Sequence, residues 1–186
     1  MMRFMWMLAV AGMLAACGDN SPRYLLDGAA APTQIRVPVR SIEMRQVTLP
    51  SYAAASEIVQ QQPDGALRPV AKAVWADDPT GAVTRILARN LDAGTTAVAA
   101  AEPWPLDTPA QVRVEVRVDR MVAQLDGTFR MTGQFSVAAP LGAIRESITR
   151  FDIVQPITGE GPGEIAQASS AALSQLAQQI AQEIAG

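Results

Sequence analysis

The sequence predicts an α+β domain: a mostly antiparallel sheet built round a long β-meander, with two helices packed on one face. Two observations predict it. Three long segments between Val112 and Val154 alternate apolar and polar residues and are separated by turn triplets, the pattern of sequential antiparallel strands with one buried face. Two other segments, after Asp78 and after Gly163, carry apolar residues at helical spacing instead, as helices covering one side of a sheet do.

The elements follow in chain order. From Gly18 to Gln34 the composition is Gly, Asp, Asn, Ser, Pro and Ala around one apolar patch, Tyr24-Leu25-Leu26, which reads as a tether carrying a short strand. Ile35, Val37 and Val39 then alternate with Arg36, Pro38 and Arg40, predicting a half-buried strand that Pro38 confines to an edge or a bulge. Residues 57–62 and 66–70 flank Pro63-Asp64-Gly65, a hairpin turn. Asp78 and Pro79 open a helix, because the Asp side chain satisfies an orphan backbone donor and the proline removes another. Val83, Ile86, Leu87 and Leu91 form its apolar face and Gly94 its stop.

The meander comes next. Val112, Val114, Val116 and Val118 alternate with charged residues, and Asp126-Gly127 turns the chain. Phe129, Met131, Phe135 and Val137 return it, Pro140-Leu141-Gly142 turns it again, and residues 144–154 form the third strand. A Gly/Pro stretch from Gly159 to Gly163 precedes the last helix, whose apolar face is Ile165, Leu173, Leu176, Ala177, Ile180 and Ile184. That helix carries no charge between Glu164 and Glu183, and Gln175, Gln178, Gln179 and Gln182 lie on its outer side. Its reading as a packed amphipathic helix outweighs that of an interface with another protein.

Composition bounds the function. The chain has 186 residues, 49% hydrophobic and 18% charged, with one Cys and no His. A Ser/His/Asp triad, a His-ligated metal, an intramolecular disulfide and a CxxC pair are thereby excluded. Lys72 is the only lysine, so an enzyme would have to work with carboxylates, Ser, Tyr or that one amine; we expect no catalytic residues, no metal and no enzyme. The formal charge of −3 is scattered rather than blocked, which makes nucleic acid a poor partner.

Membrane attachment comes from the N-terminus. Arg3 precedes an apolar run to Ala16, too short to span a bilayer but apt for a secretory signal peptide over residues 1–16. Leu14, Ala15 and Ala16 followed by Cys17 form the lipobox of a lipoprotein signal peptidase. The expected modification is a diacylglycerol thioether on Cys17 and an N-acyl chain on its freed amine, with no other cofactor. Several long chains anchor effectively irreversibly, at about 0.8 kcal/mol per buried CH₂. Gly18 follows the cysteine where inner-membrane lipoproteins carry Asp, so outer-membrane sorting, facing the periplasm, is expected. Residues 17–34 are then the lipidated N-terminus, tether and short first strand, and 35–186 the single domain.

Trp75 beside Asp77 and Asp78 reads chiefly as a core-closing residue, with an exposed contact as the alternative; the two aspartates read as cap and solvated charge rather than a metal or acid/base pair. Leu49, Pro50, Tyr52, Ile58 and Val59, together with Trp75, are the candidate partner contacts. A hairpin folded onto the sheet edge is an equal reading of the first five.

The order of these features resembles the PqiC/YmbA family, auxiliary lipoproteins of ABC-type transport systems that contain MCE-domain proteins. The resemblance runs from Tyr24 to the C-terminus: Tyr24-Leu25-Leu26, Leu49-Pro50-Ser51-Tyr52, Trp75 to Pro79, Leu87 to Leu91 and Ala171 to Ala181. Ala53-Ala54-Ala55-Ser56 stands where the family usually has a Leu-Asp-Arg-like polar segment. The resemblance implies a non-catalytic lipoprotein docking a periplasm-spanning MCE protein that moves phospholipids or similar lipids between membranes. Homo-oligomerisation is left open by the sequence. Two other readings remain at this point: a lipoprotein activator of a peptidoglycan synthase, and a lipid-binding periplasmic chaperone.

Overall fold

The computed structural model describes residues 21–27 and 34–186. The signal peptide, the lipobox and Cys17 lie outside the described residues. The sheet holds eight strands: β1 (Arg23–Tyr24), β2 (Ser41–Met44), β3 (Glu57–Gln61), β4 (Leu67–Trp75), β5 (Val98–Ala101), β6 (Val112–Ala123), β7 (Thr128–Ala138) and β8 (Ser147–Pro156). The helices are α1 (Ser51–Ala54), α2 (Pro79–Gly94) and α3 (Pro162–Ala185).

The class is α+β, as the periodicities predict. β6, β7 and β8 form an antiparallel meander with ten paired positions in each ladder. Its inward side is Val112, Val114, Val116, Phe135, Met131 and Ile153, all but inaccessible to solvent. The sheet as a whole is mixed. β6 is long enough to take two neighbours on its other side: β2 runs parallel to its start, Ile42 opposite Val112, and β3 parallel to its end, Gln60 opposite Ala123. Beyond β2 lies β5; beyond β3 lie β4 and then β1.

α2 and α3 pack side by side on one face of this sheet. Asp78 caps α2 through its side chain, which accepts from the Gly81 N–H at 2.7 Å, and Pro79 occupies the first turn. Val83, Ile86, Leu87 and Leu91 are buried, as their spacing predicts. Two polar residues join them: the Thr84 hydroxyl accepts from the Val47 amide, and the Asn90 amide donates to the Ser174 hydroxyl of α3. α2 ends at Gly94, but the following residue, Thr95, is simply extended.

Three local expectations change. Ile35–Val39 is extended with Val37 and Val39 buried, yet only Ile35 makes a bridge, to Thr95, and the ladder begins at Ser41. The reason is chemical: Pro38 has no donor, and the Val37 N–H goes to the Thr96 hydroxyl instead of a neighbouring strand. The third meander strand starts at Ser147 rather than residue 144. The expected hairpin about Pro63-Asp64-Gly65 is present, with Gly65 at φ 83°, but its register shifts between Glu57 and Val59, where β4 carries extra residues and Lys72 sits at φ 53°.

Candidate functional site

The N-terminal strap is the first candidate. β1 runs parallel to the end of β4, Arg23 opposite Val74 and Tyr24 opposite Trp75. Val74 N–H donates to the Pro22 carbonyl and Ala76 N–H to that of Tyr24. Leu26 is only 8% exposed, packed into the core, and the Asp27 N–H reaches the Ser170 hydroxyl of α3. Residues 22–27 are therefore fixed to the domain by backbone bonds, one buried side chain and a helix contact. Leu25, by contrast, points outward.

Two grooves flank the strap. One, of about 360 Å³, lies between Tyr24, Leu25, Trp75 and the α2 residues Arg85, Ile86 and Arg89. The other, of about 440 Å³, lies between Tyr24, Leu25, Asp27 and the α3 residues Ala166, Gln167 and Ser170. The arginines of the first are engaged, Arg85 with Asp77 and Arg89 with Asp27 at 3.8 Å.

The second candidate is the corner formed by the sequence-derived contact residues, which the fold brings together. Pro50 precedes α1, a single turn, and Tyr52 on that turn accepts a hydrogen bond at its hydroxyl from the Met121 N–H. Tyr52, Ile58, Val59 and Trp75 meet Met121, Phe129 and Ile165 around a pocket of only about 20 Å³. Ile58 is 1% and Trp75 7% exposed, because the β3–β4 hairpin places both side chains in the core cluster. Leu49, Pro50, Tyr52 and Val59 keep partial exposure. Trp75 walls both this corner and the α2-side groove, so the two candidates share one residue.

Charge is arranged locally. Asp78 is consumed by its cap, while Asp77 accepts from the Asp78 N–H and pairs with Arg85. On β2 the largely buried Glu43 receives Arg113 at 3.0 Å and Arg45 at 3.7 Å, and Arg45 also reaches Glu102 at 3.1 Å. Sequence reasoning missed this chain of charges, whose members lie up to 70 positions apart. Arg130 and Asp152 pair across β7 and β8 through two bonds, 2.9 and 2.5 Å. The Arg130 guanidinium holds the Asp152 carboxyl below the usual carboxylate range, and Asp152 raises Arg130 in turn. Among the described residues no three metal-ligating side chains cluster, and no helix is long and apolar enough to cross a membrane.

The fold has counterparts among solved structures. This α+β arrangement is similar to the crystal structure of an uncharacterized protein, with a TM-score of 0.68 at 19% identity over 87% of this chain and 98% of that one. It is equally similar to protein XCC0632 from Xanthomonas campestris, of the DUF330 family, with a TM-score of 0.68 at 15% identity over 88% and 94%. The family follows from the sequence profile: residues 24–181 match the ABC-type transport auxiliary lipoprotein component, and the chain belongs to that family. The match begins at Tyr24, inside the strap. No curated protein matches the chain.

Proposed function

We propose that this chain is a non-catalytic outer-membrane lipoprotein, anchored through acyl chains on Cys17, which docks the periplasm-spanning MCE protein of an ABC-type system moving phospholipid between membranes. The observation that carries the reading is the family match over the domain together with the strap it begins in: a transport auxiliary component whose N-terminal strand is built into its sheet. A lipid on Cys17 would then position the domain rather than trail from it. The half-buried corner residues Leu49, Pro50, Tyr52 and Val59 are the contacts proposed for the MCE protein, with the buried Ile58 and Trp75 supporting them from beneath. Asp77 and Asp78, the adjacent pair weighed from sequence as acid/base or metal carboxylates, serve here as ion pair and helix cap.

The test uses the full chain in its own envelope. Palmitate labelling that disappears with Cys17→Ser, and banding with the dense membrane fraction, are expected. Chemical cross-linking should recover an MCE-domain protein, and Tyr52→Ala should weaken that recovery. Recovery of a cell-wall synthase with no MCE protein would overturn the transport reading, and an unlabelled chain released by osmotic shock would overturn the anchor.

A further inference from the structure

The far edge of the sheet, opposite the strap, is self-complementary. Among the described residues, β8 pairs with β7 on one side and with nothing on the other. Edge strands are normally blunted by charged side chains, lysine above all, by a bulge, a mid-strand proline or a covering segment; the two charges of β8, Arg150 and Asp152, are opposite in sign and so do not repel a reversed copy of the same strand. β8 has no lysine and no register shift over its ten pairs, and its one proline, Pro156, stands at its end.

Which backbone groups are free follows from the ladder. The Ile157 N–H donates to the Gly127 carbonyl, directly beyond the Thr128–Pro156 pair. Since hydrogen-bonding sides alternate along an antiparallel strand, the odd-numbered residues of β8 face β7. Ile148, Arg150, Asp152 and Val154 therefore turn their N–H and C=O groups to the open edge. Pro156 shares that parity, so its missing N–H falls on the unpaired side, where proline is tolerated. The same four residues carry the side chains of the uncovered sheet face, with Ile148 73% and Val154 50% exposed.

We infer that β8 pairs antiparallel with β8 of a second copy of this chain, about a two-fold axis through Phe151. That register places Ile148 opposite the second copy's Val154 and Arg150 opposite its Asp152, each twice by symmetry. The open face reads apolar, positive, negative, apolar, and matches itself when reversed. All eight residues present their free backbone groups to one another, giving about eight backbone hydrogen bonds. A two-fold axis at Arg150 or at Asp152 preserves the backbone bonding but sets like charges directly opposite, which is unfavourable; charge thus selects the register. Arg150 has no ion-pair partner among the described residues, and Asp152, held by Arg130 from the neighbouring strand, has acceptor capacity left for it. α3 flanks this edge, with Gln175 bonded to Gln155 of β8, and brings no charge of its own between Glu164 and Glu183.

The experiment is disulfide trapping in the full-length chain in bacterial envelopes. Directly opposed, hydrogen-bonded strand residues stand about 5.5 Å apart at Cα, within reach of a disulfide. The Ile148→Cys/Val154→Cys variant should oxidise to a dimer on a non-reducing gel, and either single variant should not. Adding Arg150→Asp should lower the trapped fraction about tenfold, two attractions becoming two repulsions, while Arg150→Lys should keep it. Sedimentation of the unsubstituted chain in detergent should show a dimer that Arg150→Asp dissociates. A monomer at tens of micromolar, equal trapping in the single variants, or trapping to a different protein only would each overturn the inference.

Discussion

Replacing Gly133 with alanine tests the packing at the centre of the meander. Gly133 lies mid-strand in β7, between Val118 of β6 and Phe151 of β8, where the β6 register shifts. A Cβ there would lie 2.8 Å from Phe151 Cζ and 3.0 Å from Val118 Cα, and deeper still inside contact with the Arg117 carbonyl oxygen. The phenyl ring can rotate away. The two backbone atoms can move only by opening the β6–β7 ladder. Overpacking of a filled core costs about 1–3 kcal/mol, and a backbone clash belongs at the upper end. The loss of chain entropy in the unfolded state returns about 0.4–1 kcal/mol, leaving a net destabilisation of about 2 kcal/mol. For a chain of this size that is a fall in Tm of roughly 4–8 °C. The assay is urea unfolding of the purified chain, with the midpoint falling at unchanged m-value. Phe151→Leu added to Gly133→Ala should not restore stability, because the backbone contacts remain. A stability within about 0.5 kcal/mol of the parent, or full restoration by Phe151→Leu, would refute the reasoning.

Three further outcomes are expected. Asp78→Ala removes the acceptor for the Gly81 N–H and should cost about 1 kcal/mol by denaturant unfolding, with Asp78→Asn retaining most of it. Tyr52→Phe leaves the Met121 N–H without its hydroxyl partner, so the exchange of that amide should accelerate, with a loss of about 1 kcal/mol. Asp152 has a folded-state pKa below the unfolded value of about 3.9. Its pairing with Arg130 therefore contributes stability above that pH and loses it as pH falls through the folded value. The difference in unfolding midpoint between the parent and Asp152→Asn should be present at neutral pH, begin to shrink as pH falls below about 4, and vanish once the pH is below the folded value; a difference that grows on acidification would contradict the assignment.

The parts legible in the sequence are those encoded locally. Val112 to Val118 show their burial by alternation, Asp126-Gly127 and Pro63-Asp64-Gly65 show their turns by conformational need, and Asp78-Pro79 shows its helix start by donor accounting. Strand neighbours are not encoded that way. Nothing in Ser41–Met44 says that it runs parallel to β6, and Val98–Ala101, a valine and three alanines, has no strand-like alternation at all. Gly133 did carry a signal, since an isolated glycine in an alternating strand marks a close backbone approach. The contact residues show the limit from the other side. Tyr52, Ile58, Val59 and Trp75 do assemble, but whether an apolar cluster faces outward or fills itself depends on how the hairpin folds over, and β3–β4 folds inward.

The strap changes what an anchor at Cys17 would do. Read from sequence, a tether to Gln34 would allow the domain to stand roughly 60 Å from the membrane at full extension. With the chain fixed into the sheet at Arg23, the segment from Cys17 can span at most roughly 20 Å. The domain would then be held close, with its strap edge, Trp75 and the corner beside it nearest the bilayer. β8 lies at the other end of the strand order, across β4, β3, β6 and β7, roughly 24 Å away at ordinary strand spacing. Self-pairing there would leave both strap edges outermost, on the order of 50 Å apart. An acyl anchor on Cys17 of each copy would restrain the tilt of the pair in a way that a single flexible tether does not, and would hold the proposed docking corner of each copy at one height above the membrane.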